Sequence, residues 1–212
     1  MKKALSLIIG LFIITLSASA QQFFHARGDF DHSFRPRFGF TMGAAFSNAV
    51  AASKNNYNTG GSAGFSFGFT YNRPVADRLS IGAEVLYSQK GYAATTLSGK
   101  FSQNSQFLDV PVFAKYSVGR KLNVFAGPQL SYMLSSSNVY NAGFEETTRN
   151  YYQYSGVRTF FAGVIGAGVD LTDHVNLNAR YALDITGTNA NGSAFVPAYK
   201  HQALQLAFGY KF

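Results

Sequence analysis

Four histidines, ten acidic residues and no cysteine bound the chemistry open to this chain. An acyl hydrolase or transferase needs a nucleophile with a base in hydrogen-bond reach. His25 and His32 precede the first patterned segment and His174 falls in a short turn, which leaves His201 with Ser193 as the only tolerable pair. The missing thiols exclude disulfides, thiolate metal sites and cysteine nucleophiles. No His-x-His pair and no regular aspartate spacing point to a metal. Gly166 to Asp170 reads GAGVD but opens no helix, so it is a strand pattern and not a phosphate loop. No cofactor is expected.

The remaining candidates are charges at regular spacing: Arg37, Glu84, Asp109, Lys115, Arg180, Asp184 and Lys211. Each falls on the small or polar side of a segment whose other side is large and apolar, which places all of them inside whatever the segments enclose. Enclosed charges must pair. The spacing predicts a network in which Glu84 and Asp109, on adjacent strands, share Lys115 and Arg180, with Asp184 on the same interior face. Lys211 is expected beside Arg37 at one rim, where two cations need an acidic group or solvent. Two carboxylates could also serve as an acid/base dyad, but a packed interior gives a substrate no room. The network is therefore read as structural, and no enzyme is expected.

The elements that carry these residues have a period of two. Phe38, Phe40, Met42, Ala44 and Phe46 form one apolar set, Phe65, Phe67, Phe69 and Tyr71 a second, and Leu79, Ile81, Ala83, Val85 and Tyr87 a third. Five more segments follow: 107–116, 122–132, 159–171, 175–186 and 203–212. The sixth is the least clear, because both faces of FFAGVIGAGVDL are small or apolar. Alternation of this kind marks strands with unlike faces. The intervals between segments run long, short, long, short, long, short, long. Eight strands, short turns at one end and long loops at the other suit an eight-stranded antiparallel up-and-down transmembrane β-barrel. A soluble β-sandwich would set charges on its outer face, whereas here the second face is mainly Gly, Ala, Ser, Thr and Asn.

Composition agrees. There are 21 Phe, 13 Tyr and 21 Gly among 212 residues, and charged residues make up 13% of the chain. Ordinary globular chains carry about 25%. The net charge of +8 is scattered, with no basic stripe interleaved with stacking aromatics, so nucleic acid is not an expected partner. Residues 1–20, MKKALSLIIGLFIITLSASA, combine two lysines, a short apolar run and a small-x-small end, the pattern of a cleaved secretory signal. Residues 21–35 are expected to be a periplasmic lead-in, and 36–212 the barrel. The final stretch ALQLAFGYKF ends on Phe212 and resembles the terminal strand that outer-membrane barrels present to the barrel-assembly machinery.

From Leu79 to Leu134 the sequence resembles the PorT-type outer-membrane β-barrel domain family. The matching positions are Glu84, Tyr87, Ser88, Lys90 and Gly91, then Leu108, Asp109, Val110, Pro111, Lys115 and Tyr116, then Gly127 and Pro128. The resemblance implies an eight-stranded barrel in the outer membrane of a Gram-negative cell, surrounded by outer-membrane lipid and lipopolysaccharide, with both termini periplasmic. It implies no single activity. The expected role is that of a plugged barrel with a structural or surface-interaction function, the alternatives being a lipid A acyl hydrolase or transferase and a component of a secretion apparatus. Recognition of a protein or glycan is expected of the loops, above all of Tyr140, Phe144, Tyr151, Tyr152 and Tyr154 in the interval 135–156.

Overall fold

The computed structural model describes residues 36–51, 59–96, 99–142, 145–150, 158–186 and 199–212. The expected signal segment and lead-in lie outside them. The described chain is built of strands: β1 (Arg37–Ala51), β2 (Thr59–Ala76), β3 (Leu79–Thr96), β4 (Gly99–Val118), β5 (Leu122–Ala142), β6 (Glu145–Asn150), β7 (Thr159–Asp170), β8 (Val175–Asp184) and β9 (Tyr199–Lys211). Consecutive strands pair antiparallel from β1 to β5, then β5 pairs with β7, β7 with β8 and β8 with β9. The ring closes where β9 returns to β1, from Gly39↔Lys211 to Ala51↔Tyr199. β6 stays out of the ring and extends β5 alone, from Asn138↔Asn150 to Ala142↔Glu145. The wall therefore has eight strands, as the alternation predicts.

Closure follows from what faces outward. Phe69, on the outer side of β2, is 73% exposed, whereas Phe107, on the inner side of β4, is 1% exposed. Residue type is the same, so position in the pleat alone decides. Phe38, Phe40, Met42, Phe67, Ile81, Val112, Val124, Ile165, Leu177, Leu206 and Phe208 continue the outer belt. Such a belt is stable only in contact with lipid, and lipid cannot satisfy an open sheet edge, so all backbone groups at that depth must pair within the ring. The two apolar faces of β7 also become intelligible. Phe161 and Ile165 point out, while Phe160 and Val164 enter two interior clusters, Phe107–Met133–Phe160 and Phe113–Phe125–Val164–Ala182.

The strands run further than the alternation of apolar residues. The interval 89–105, read as an exit loop, is strand on both sides of residues 97–98, with register continuing to Thr96↔Gly99. The interval 135–156, read as the longest loop, contains the end of β5 and all of β6. Above the apolar belt the inner face stays buried but is lined largely by polar residues such as Lys90, Gln103, Ser105 and Ser136, like the outer face. The ladder of backbone hydrogen bonds persists there while the contrast between faces, the only sign of a strand in sequence, disappears.

Candidate functional site

The inward positions form layers along the barrel. At the short-turn end, Lys211 on β9 donates to Asp170 on β7 at 2.5 Å. Asp170 is the acidic group that the rim requires. Lys115 lies between the Phe113 and Phe125 rings, its Nζ 5.8 Å from each centroid, and makes no ion pair among the described residues. Arg180 Nη1 donates to Glu84 Oε2 at 2.5 Å, both groups buried. β3 and β8 are opposite each other in the ring, four strands apart in either direction, so this ion pair bridges the full width of the interior.

Nearer the loop end, Asp109 does not share Lys115 or Arg180. It accepts from Lys90 Nζ at 2.9 Å and from Ser88 Oγ at 2.5 Å, and Lys90 lies 4.7 Å above the centre of the Phe107 ring. The expected sharing fails because Leu86 pairs with Asp109, which sets Asp109 one layer beyond Glu84. Lys90 was hidden by the early end assigned to the third strand. Extending the sequence Ser80, Gly82, Glu84, Leu86, Ser88 by one more step reaches it. The hydroxyl of Ser131, on β5, accepts from both Lys90 Nζ at 3.4 Å and Gln129 Nε2 at 2.9 Å, tying a third strand into the layer.

Asp184 pairs with His201. The carboxylate Oδ2 lies 3.1 Å from His201 Nδ1 and accepts the His201 backbone N–H at 3.2 Å. His201 is 2% exposed and meets the edges of Phe107 and Phe160, with ring centroids 5.3 and 6.1 Å apart. Rather than standing at a solvated rim, it is enclosed, because odd-numbered positions of β9 face inward. Phe107 and His201 also come from opposite walls. Above them Gln103 donates to Ser136 Oγ at 3.1 Å, and the hydroxyls of Ser105 and Ser136 are 2.9 Å apart. Ser193, the nucleophile that would accompany His201, lies outside the described residues. So do Phe144, Tyr151, Tyr152 and Tyr154; the backbone of Tyr140 pairs with Phe101 on one side and Thr148 on the other. Among the described residues no group of three potential ligands could hold a metal ion.

A closed ring with an apolar outer belt and paired charges inside defines a transmembrane β-barrel of the small, eight-stranded class. The family model described as the outer membrane protein beta-barrel domain matches residues 20–188, and the chain belongs to this family. It is accordingly a protein of the outer membrane. The structure resembles Ail, the attachment invasion locus protein of Yersinia pestis, solved in complex with the heparin analogue sucrose octasulfate. That likeness has a TM-score of 0.50 at 11% identity and covers 84% of this chain and 99% of Ail. It also resembles Neisserial surface protein A, with a TM-score of 0.50 at 18% identity, covering 82% of this chain and 97% of the other. At such identities the likeness carries the fold alone. No curated protein matches the chain.

Proposed function

We propose that this protein is a plugged outer-membrane barrel whose role is interaction at its loop end, which faces outward from the cell, and not catalysis or conduction. The observation that carries the reading is the height of the wall on one side. From Gln89↔Gln106 to Thr96↔Gly99, β3 and β4 continue as a paired hairpin. At about 3.3 Å per residue this is about 25 Å of strand. β5 continues beside β4 to Lys100↔Asn141, and β6 adds a further strand to it. A four-stranded apron of mainly polar sequence thus stands above the belt, where lipid contact cannot be its purpose. Its Ser, Asn, Gln and Tyr content suits adaptable contact with a protein or a glycan.

Two further features support the plugged interior. Glu84–Arg180 and Phe107–His201 each join opposite walls, and an eight-stranded ring is only wide enough for its own side chains. The narrower PorT-type affiliation rests on the motif positions from Glu84 to Pro128 and stands as part of this proposal. So do removal of residues 1–20 and delivery by the barrel-assembly machinery through the strand that ends at Phe212. The deciding experiment replaces residues 138–150 by a short Gly-Ser link. The variant is expected to insert and migrate as a folded barrel but to lose capture of partners from native cell surfaces. Capture undiminished in a folded variant would remove the apron from the function.

A further inference from the structure

The outer face of the wall is interrupted where β9, β1 and β2 meet near the loop end. A groove of about 420 Å³ opens there, floored by the small residues Ser47, Ser62 and Ala203. At the same level β2 leaves the β3 ladder between Gly61 and Ser66. On the inner side Ser47 compensates for that break: its Oγ accepts from Gly91 N at 2.7 Å and donates to Gly91 O at 3.0 Å.

The groove straddles a chemical boundary. Its lower walls are Phe46, Ala63 and Leu204, which share one level of the register, Phe46↔Ala63 and Phe46↔Leu204. Two residues toward the loop end, the outward pair is Asn48↔Gln202, and Tyr181 reaches over from β8 to donate its hydroxyl to Gln202 Oε1 at 2.6 Å. The next outward position is Lys200, paired with Val50. Lys200 makes no ion pair among the described residues, and no carboxylate faces outward on β8, β9, β1 or β2 among them. Apolar slot, amide level and a cation without an ion pair among the described residues therefore follow one another along the direction in which a bilayer passes from acyl chain through glycerol or sugar to phosphate.

We propose that this groove binds one anionic phospholipid or phosphoglycolipid of the surrounding outer leaflet. An acyl chain lies against Phe46, Ala63 and Leu204, the polar backbone of the lipid bonds to Gln202 and Asn48, and the phosphate meets Lys200. The inference rests on the reading that this wall faces the bilayer with its loop end outward. A lysine beside an anionic headgroup contributes enough to enrich that lipid about fivefold over a neutral one.

The chain contains no tryptophan, so a single introduced one reports its own surroundings. Phe46→Trp places it on the groove wall, and Val112→Trp on the outer belt of β4, across the barrel. Each full-length variant is reconstituted in phosphatidylcholine vesicles carrying a minor fraction of either dibrominated phosphatidylglycerol or dibrominated phosphatidylcholine. Phe46→Trp is expected to be quenched by the brominated phosphatidylglycerol as though it were about fivefold enriched, and Val112→Trp equally by both lipids. Adding Lys200→Gln should abolish the excess while Lys200→Arg retains it, the heat-modified gel mobility reporting that both remain folded. Excess glycerol phosphate in solution should not relieve the quenching. Equal quenching by the two lipids at Phe46→Trp overturns the site, and relief by glycerol phosphate overturns the acyl slot. Absence of any quenching at Val112→Trp would instead overturn the membrane-spanning reading beneath it.

Discussion

Glu84 and Arg180 are 96 positions apart in sequence and 2.5 Å apart in the barrel, both with little water around them. Removing one partner of a buried pair leaves the other uncompensated, at a cost of about 3–5 kcal/mol. Glu84→Gln should therefore lower the unfolding temperature of the detergent-folded barrel sharply. Replacing both, Glu84→Gln with Arg180→Met, should restore most of it, because two uncharged side chains leave no unpaired charge behind. Thermal melts followed by circular dichroism separate the outcomes; additive losses in the double variant would mean that the pair does not act as a pair. Asp109 offers a second test at this scale. Its neighbour Lys90 has its head between Asp109, Ser131 and the Phe107 ring. Asp109→Asn strands that lysine and should destabilise by about 3 kcal/mol. Lys90→Met in that background should recover part of the loss.

At the scale of the strand, pairing distance decides which positions tolerate a side chain. Gly43 faces inward on β1 at the seam with β9. A Cβ there would meet the Leu206 carbonyl and, at 2.5 Å, the Ala207 Cα, both backbone atoms that cannot swing aside. Gly163, on the outer side of β7, has nothing within 4 Å of the same position. Gly43→Val is expected to prevent closure, giving protein that stays at its unfolded mobility on unheated gels, while Gly163→Ala folds with stability within about 0.5 kcal/mol of the parent. Equal folding of the two would show that the seam is looser than its geometry. The strands themselves were legible in sequence wherever the two faces meet unlike surroundings, as from Leu79 to Tyr87 and from Val175 to Asp184. They were illegible from Gln89 to Thr96 and from Ser135 to Asn150, where polar residues on both faces erase the alternation even though the inner face, as at Lys90 and Ser136, stays buried. Most of the interior charges could be listed from parity, though Lys90 and Asp170 were missed, and their partners could not be. Pairing across the ring depends on which strands face one another, and Lys90, beyond the end of the alternating segment from Leu79 to Ser88, was missed with the rest of the apron.

For the barrel as a whole, the decisive quantity is whether the interior conducts. Paired layers are stacked along it: Lys211 with Asp170 at the turn end, Glu84 with Arg180 above it, Asp109 with Lys90 higher still, and His201 against Phe107 and Phe160 near the loop end. Phe107, Met133 and Phe160 are at most 1% exposed, and on the proposed plugged reading this last layer acts as a stopper. A hydrated ion would have to displace both the stopper and a cross-wall ion pair, neither of which pairs with it in exchange. Wild-type protein in planar bilayers should accordingly give no steps above the bare-membrane leak. Phe107→Ala with Phe160→Ala opens the stopper but leaves the Glu84–Arg180 bridge, and should add at most brief, small events. Adding Glu84→Gln and Arg180→Met to those two removes both barriers, and resolved conductance steps are then expected if that variant remains folded. The graded series separates two architectures that share one fold. Steps in the wild type would mean that the cross-wall pairs open readily and that the barrel is a gated pore. Steps already complete in the aromatic double variant would place the whole barrier in the stopper and leave the ion pairs with stability as their only task.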